Sequence, residues 1–414
     1  MARALVVITP AEGHVNPSLG LVQQLVKCGE EVTYVCTEEY RKRIEATGAK
    51  VITYTYARGS FADDPILKPK VYKHPYQFIH FILRGMIEPI IPEVLALTEQ
   101  GSYDYLIYDY LLGGWGGQII AERLGIPAVC SITSFVFVKP LGAEQLMTEQ
   151  EEQEIQAIYD SSMEIARQLA DRYQLSAPDM SDIFNAYGEL KVVHLSRDLQ
   201  PNAELLDDSY VFTGSSIVPR MDAPTFTLDR SQLPYAHTVY ISLGSILNNN
   251  IEFYKLCFEA FRNETITFIL ACGKETNMKP LADLIPDNFI IKPYLPQLEV
   301  LQQVDVFITH AGMNSTSEAL YYDVPLVMIP LTSDQPMVAM QVKNRGAGVI
   351  VDHQGLTPEV LRSALLEVLH TPSYKQQAHA IGKSLREAGG YERAAEIVMS
   401  VVGKAAAQPL RTRK

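Results

Sequence analysis

Two short polar stretches of this 414-residue sequence have the composition of reactive loops. In the first, a buried apolar run from Val304 to Ile308 leads into Thr309-His310-Ala311-Gly312-Met313-Asn314-Ser315, followed by a helical pattern. A strand passing through a small glycine-containing turn into a helix cradles phosphate. The turn's N–H groups and the helix N-terminus point at the anion, and Gly312 lets the backbone approach closely. His310 adds a side-chain donor. Ser315 and Glu318 also match a capping box, in which both would only satisfy the helix's own backbone donors. In the second stretch, His14 stands just after the first strand in Glu12-Gly13-His14, and Asp109 closes another strand of the same half. Strand-end loops of one sheet can bring an imidazole and a carboxylate together, the carboxylate holding the tautomer and stabilising the cation. Asp109 could instead cap the turn that follows it.

Other chemistries find little support. No D-x-D, H-E-x-x-H or metal-spaced His/Cys cluster is present, so no metal and no cofactor is expected. Gly382-Lys383-Ser384 lacks the partner glycine of a P-loop, and the first strand leads into no G-x-G-x-x-G. A net charge of −13 argues against nucleic acid or an anionic membrane as partner. Five scattered cysteines without a C-x-x-C suit a reducing compartment, and no apolar run is long enough to span a bilayer. A cytoplasmic, monomeric enzyme is the expectation.

The elements that must position these residues alternate strand and helix. Leu5 to Thr9, Glu31 to Cys36, Val51 to Tyr54, Tyr105 to Tyr108, Ala128 to Ile132 and Val192 to Leu195 read as strands of the first half. Asn16-Pro17 reads as a helix start, with Asn16 as N-cap. Leu112-Gly113-Gly114-Trp115-Gly116-Gly117 follows the strand that ends in Asp109, Gln118 to Leu124 reads as a helix, and His80, Arg84 and Glu88 as a polar stripe on an amphipathic helix. The rings of 56–91 (Phe61, Tyr72, Tyr76, Phe78, Phe81) pack on the domain or line an apolar pocket. From Gln200 to His237 the pattern dissolves among prolines. Alternation then restarts with Thr238 to Leu243, Thr267 to Ala271, Phe289 to Ile291, Val304 to Ile308, Pro325 to Ile329 and Gly348 to Val351. The expected class is α/β, with two doubly wound parallel-sheet (Rossmann-like) domains facing a cleft. The expected boundaries are 1–205 for an N-terminal domain, 206–236 for a linker, 237–386 for a C-terminal domain and 387–414 for a C-terminal helix and tail.

Taken together, Glu12-Gly13-His14-x-Asn16-Pro17, Tyr294-x-Pro296-Gln297, His310-x-Gly312-x-Asn314-Ser315-x-x-Glu318 and Asp334-Gln335 resemble the signatures of the family 1 UDP-glycosyltransferases. Met313, where plant members carry Trp, is similar to the bacterial macrolide and flavonoid branch. The resemblance implies the GT-B architecture, with the last helix returning to the N-terminal half, and an inverting, metal-independent transfer. It makes His14 the base that takes a proton from the acceptor hydroxyl and Asp109 its partner. It places Tyr294 against uracil, with Leu295 and Gln297 at the nucleoside and Glu318 on the ribose. Ser245, His310, Gly312, Asn314 and Ser315 fall at the diphosphate, Met313 among the UDP-binding residues, and Asp334 and Gln335 on the sugar, where the Asp-Gln pair implies glucose. The implied partners are a UDP-sugar donor and an apolar hydroxylated small-molecule acceptor, and the product is a β-glucoside. A UDP-sugar 2-epimerase, a glycolipid glucosyltransferase at a membrane surface and a non-catalytic nucleotide-sugar binder are the alternatives on the same architecture.

Overall fold

The structure is a computed structural model that describes residues 1–56, 64–67, 75–138, 149–219, 226, 228, 233, 235–244 and 248–406. The chain divides into two compact units. The first comprises Met1–Ser196, Asn202–Ser216 and Ala388–Lys414, and the second Arg197–Pro201 and Ile217–Glu387.

In the first unit the described residues form one parallel sheet from β1 (Arg3–Val7), β2 (Glu31–Cys36), β3 (Lys50–Thr53), β4 (Tyr105–Asp109), β5 (Ala128–Ile132), β6 (Leu190–Val193) and β7 (Tyr210–Phe212). Their order is β3-β2-β1-β4-β5-β6-β7, so the winding direction reverses between β1 and β4. In an open α/β sheet that reversal leaves a crevice at the strands' carboxyl ends, where ligands bind. Seven helices accompany these strands among the described residues: α1 (Glu12–Lys27), α2 (Arg41–Glu45), α3 (Pro75–Phe81), α4 (Glu88–Thr98), α5 (Gly113–Leu124), α6 (Glu149–Tyr173) and α7 (Met180–Phe184). The second unit repeats the plan with β8 (His237–Ser242), β9 (Ile266–Ala271), β10 (Phe289–Lys292), β11 (Val306–Thr309), β12 (Leu326–Met328) and β13 (Gly348–Ile350). The order β10-β9-β8-β11-β12-β13 puts its reversal between β8 and β11. Its helices are α8 (Ile251–Phe261), α9 (Gln297–Leu301), α10 (Met313–Tyr321), α11 (Gln335–Asn344), α12 (Pro358–His370) and α13 (Pro372–Glu387).

A final helix, α14 (Gly390–Ala406), belongs to the first unit. Its Ala394, Ala395, Val398 and Val402 are buried with Leu21, Val22 and Leu25 of α1 in one core. Two alanines on the contact face let the helices approach closely, and each buried Leu or Val contributes about 1.5–3 kcal/mol. In the second unit α13 packs on α10. A Cβ on Gly382 of α13 would fall 2.2 Å from the Leu320 carbonyl oxygen of α10, and Arg386 pairs with Asp323 at 2.8 Å. No helix among the described residues is long and apolar enough to cross a membrane.

Several sequence expectations are corrected. Asn16 does not cap α1, which starts at Glu12 with Ala11 as N-cap and carries Pro17 inside it. The Ala11 carbonyl accepts from the N–H groups of His14 and Val15, both at 2.9 Å, while the Asn16 carboxamide is bonded to Glu12 and Arg43. The helix expected from Gln118 starts earlier, at Gly113, so the glycines of 113–117 lie in α5. They are there for close packing: a Cβ on Gly114 would fall 1.6 Å from the Asn185 carbonyl oxygen, and one on Gly117 2.3 Å from the Tyr108 ring. The 206–236 segment contains the edge strand β7, whose three residues are too few to register as alternation. The 76–91 segment is two helices around a π-helical turn at Ile82–Ile87, and His80 is buried at 1 % exposure. His80 bonds the Ser162 hydroxyl at 3.0 Å and the Asp64 carboxylate at 3.1 Å, so it is not part of a solvated stripe. Phe61 and Tyr72 lie outside the described residues.

Candidate active site

At the first unit's reversal, Val7 of β1 pairs with Tyr108 of β4, so the chain leaving β1 lies beside Asp109. The Thr9 N–H donates to Asp109 Oδ2 at 3.1 Å and the Leu111 N–H to Oδ1 at 3.2 Å. Asp109 therefore caps the short turn after β4, and it also holds His14, whose Nδ1 lies 2.9 Å from Oδ2 and 3.0 Å from Oδ1. A carboxylate only accepts, so Nδ1 carries the proton and Nε2 is the basic nitrogen. The Thr133 hydroxyl, just past β5, lies 3.3 Å from the same Nδ1. Asp109 is 1 % exposed and His14 23 %, an arrangement that shields the carboxylate and leaves part of the ring open. Burial opposes ionisation of Asp109, but the His14 charge, its hydrogen bond and the backbone donors outweigh it and hold the carboxyl below its usual range. Behind it, His194 bonds the Ser131 hydroxyl at 2.9 Å and is pushed down to about 4 by burial, against the pull of Asp109. His194 is thus neutral near pH 7 and adds no second cation beside Asp109.

At the second unit's reversal, Ser242 of β8 pairs with Thr309 of β11, and the two strands run out into Leu243-Gly244 and His310. The His310 ring is wedged between glycines. A Cβ on Gly244 would lie 2.7 Å from its Cε1, and one on Gly312 2.5 Å from its Nε2. Gly244 also has φ +78°, a conformation that side chains resist. Burial pushes His310 down to about 4, opposed by a hydrogen bond to the Ser242 backbone, so the ring acts as a neutral donor and not as a charge. Ala311 holds φ +63° in this turn and Ser333 φ +61° in the loop after β12. Left-handed backbone at residues with a side chain is locally unfavourable, and it gathers where a chain is shaped around a ligand.

The capping-box expectation fails. The N-cap of α10 is Gly312, no side chain caps the helix, and Ser315 and Glu318 lie within it. Their side chains face α9: Gln297 Nε2 donates to Glu318 Oε2 at 2.6 Å and to Ser315 Oγ at 3.2 Å. Tyr294 stands in the loop after β10 with the Lys274 ammonium 5.0 Å from its ring centre. Leu295 and Met313 are buried, and Asn314 occupies the first turn of α10. Gln335, at the start of α11, accepts from the N–H groups of Leu331 and Thr332 at 2.8 and 3.1 Å, bracing the loop that carries Asp334. Ser245 lies outside the described residues.

The structure thus joins His14 to Asp109 and gathers Gln297, Ser315 and Glu318 around α10, beside the His310–Gly312 turn. Sequence reasoning missed Thr133 and Lys274. Thr133 was findable by the criterion that found Asp109, a polar residue at the end of a buried strand.

The family described as "UDP-glucoronosyl and UDP-glucosyl transferase" matches residues 232–385, which hold the second unit's site residues from Ser242 to Gln335. Over the whole chain the sequence is similar to an uncharacterized UDP-glucosyltransferase, YojK, of Bacillus subtilis, with 34 % identity covering 97 % of this chain and 98 % of that one. It is also similar to the oleandomycin glycosyltransferase of Streptomyces antibioticus, with 26 % identity over 94 % of this chain and 88 % of that one. Among solved structures, the glycosyltransferase of kitacinnamycin superposes with a TM-score of 0.79 at 26 % identity, covering 97 % of this chain and 98 % of that one. The two Rossmann-like units are those of a GT-B fold.

Proposed function

Because the chain belongs to the UDP-glucoronosyl and UDP-glucosyl transferase family, we propose that it moves glucose from UDP-glucose to a hydroxyl of an apolar small molecule. The observation that carries this reading is the buried Asp109 carboxylate 2.9 Å from His14 Nδ1. His14 Nε2 takes the proton of the acceptor hydroxyl as its oxygen bonds to the anomeric carbon. The bond to the departing phosphate oxygen breaks in the same displacement, and its electron pair leaves with UDP. Asp109 stabilises the imidazolium that forms, and a base so placed is worth roughly 10²–10⁴ in rate. Attack opposite the leaving group inverts the centre, so an α-linked donor gives a β-glucoside.

In this reading the second unit handles the donor. The α10 N-terminus, the turn at Gly312 and the neutral His310 supply donors to the diphosphate, where charge builds as UDP leaves, together with Asn314, Ser315 and Ser245. Glu318, already fixed by Gln297, accepts from the ribose hydroxyls. Tyr294 stacks on uracil beside Leu295, Met313 bounds the pocket, and Asp334 with Gln335 takes the sugar hydroxyls. No metal is required in this scheme. The names of the relatives support glucose as the sugar and a macrolide-like acceptor.

The test is incubation with UDP-glucose and a panel of phenolic, flavonoid and macrolide acceptors, with and without a chelator. UDP release, a product heavier by one hexose and a β-anomeric proton coupling are expected, unchanged by the chelator. Donor consumption that never exceeds the enzyme-free rate would overturn the transferase reading. Sugar interconversion without acceptor would identify an epimerase instead.

A further inference from the structure

Glu12, Asn16 and Pro17 stand around His14 in the sequence, and the proposed reaction uses none of them. His14 is the third residue of α1, so its place is set by the first turn, the part of a helix that its own backbone holds least. Three features loosen this turn further. Its N-cap, Ala11, offers no side-chain acceptor to the first N–H groups. The Ala11 carbonyl is shared between the N–H groups of His14 and Val15, both at 2.9 Å. Pro17 lies inside α1 and has no N–H, so the Gly13 carbonyl, next to His14, is denied the donor that a helix brings from four residues on.

A clasp of side chains supplies what the backbone lacks. Arg43 reaches from α2 to α1. Its Nη1 donates to Glu12 Oε2 at 2.8 Å and to Asn16 Oδ1 at 3.1 Å, and its Nη2 to Glu12 Oε1 at 2.5 Å. Asn16 Nδ2 donates to the same Glu12 Oε2 at 3.1 Å. The three side chains close a ring of hydrogen bonds that ties residue 12 to residue 16, and His14 sits midway between them. The anchor of the clasp is firm. The Arg43 guanidinium lies 5.2 Å from the Tyr40 ring centre, and Tyr40 and Ile44 are buried in the core that also takes Val15 of α1. The Arg43 side chain itself is only 17 % exposed. A planar fork that takes both oxygens of a carboxylate fixes direction as well as distance, which a point charge does not. Asp109 thus holds the His14 ring by Nδ1, and Arg43 holds the turn from which that ring hangs.

We propose that Arg43 is a positioning residue for the base: by clasping Glu12 and Asn16 it keeps His14 on Asp109, in the tautomer whose Nε2 takes the acceptor proton. This rests on the reading of His14 as the base, so one measurement is made that needs no turnover. Long-range nitrogen–proton spectra of histidine-labelled full-length protein report the His14 tautomer, its signals being those that His14→Ala removes. The wild type should show the Nδ1–H form alone, and Arg43→Gln a mixture of both forms. Turnover in Arg43→Gln should fall about tenfold, since a misplacement of about 1 Å can cost up to 10²-fold, with the UDP dissociation constant unchanged. Glu12→Gln should match it, and the double variant should be no slower than either, because both break one clasp. Arg43→Lys keeps the charge without the fork and should stay several-fold slow. On a His14→Ala background, Arg43→Gln should alter the residual turnover by less than about twofold. A tenfold loss there as well would show a general structural role and overturn the proposal. So would an Arg43→Gln protein, folded by its melting curve, with the wild-type tautomer and turnover. If Arg43→Gln mixes the tautomers but the wild type transfers no sugar, the positioning inference stands and the transferase reading fails.

Discussion

The two sheet reversals are the same topological feature used for opposite purposes. In the first unit, the ends of β1 and β4 carry an imidazole and a carboxylate 2.9 Å apart, a pair made to accept a proton. In the second, the ends of β8 and β11 carry a histidine that burial keeps neutral, wedged by Gly244 and Gly312 beside a helix N-terminus with no side-chain cap. One histidine is held at Nδ1 by a buried carboxylate and the other is stripped of charge by desolvation. The fold supplies a crevice in each case, and the neighbouring residues decide its chemistry.

The largest test of this division is His14→Ala, which should lower turnover by about 10²–10⁴ while UDP affinity, measured by calorimetry, stays at the wild-type value. A matching loss of UDP binding would erase the distinction between the units. Asp109→Asn should come close to it in turnover, because an amide cannot stabilise the imidazolium. It should also change acid stability. The Asp109 carboxyl is held below its ordinary value, so its contribution is present above the unfolded value of roughly 3.9 and is lost as pH falls through the folded one. Denaturation midpoints followed against pH should show a shallower acid limb in the variant. In the other unit, Gly312→Ala should raise the UDP dissociation constant by roughly tenfold through collision with the His310 ring, leaving acceptor binding untouched. Unaltered UDP affinity would mean that the ring yields freely.

A smaller effect links both units. His194 and His310 are each pushed down to about 4 by burial. The unfolded chain takes up those protons near the ordinary value of about 6.5 and the folded chain does not. Stability should therefore fall as pH drops from about 6.5 to 4 and be unaffected above that window. His194→Gln and His310→Gln should each flatten part of the fall. The smallest effect is at Thr133→Val, expected to reduce turnover by only a few-fold, since Asp109 alone can hold the His14 tautomer.

Most of this organisation was legible in the sequence because strand–helix alternation is strong and the ends of buried strands are marked by sudden polarity. His14, Asp109 and His310 were all found in that way. The misses are places where a local signal lost to packing. Asn16-Pro17 has the form of a helix start, yet the Ala11 carbonyl begins α1 a turn earlier and the Asn16 side chain is drawn to Glu12 and Arg43. Gly113 to Gly117 has the composition of a turn, but those glycines make room for neighbouring backbone and the Tyr108 ring. The polarity of His80 hid a buried residue whose two partners lie 16 and 82 positions away. Such partners have no trace in local spacing.

The position of α14 has a consequence for synthesis. The second unit interrupts the chain of the first, which is resumed only at Ala388. When a ribosome has completed Glu387, the second unit has all of its residues, while the first still lacks Ala394, Ala395, Val398 and Val402 from its core. The nascent first unit must wait with its core incomplete beside Leu21, Val22 and Leu25 of α1 until α14 emerges. A chain broken off between the two glycines at 389 and 390 would leave a complete second unit tethered to an unfinished first one, so chaperone engagement during translation should concentrate on the half that was made first.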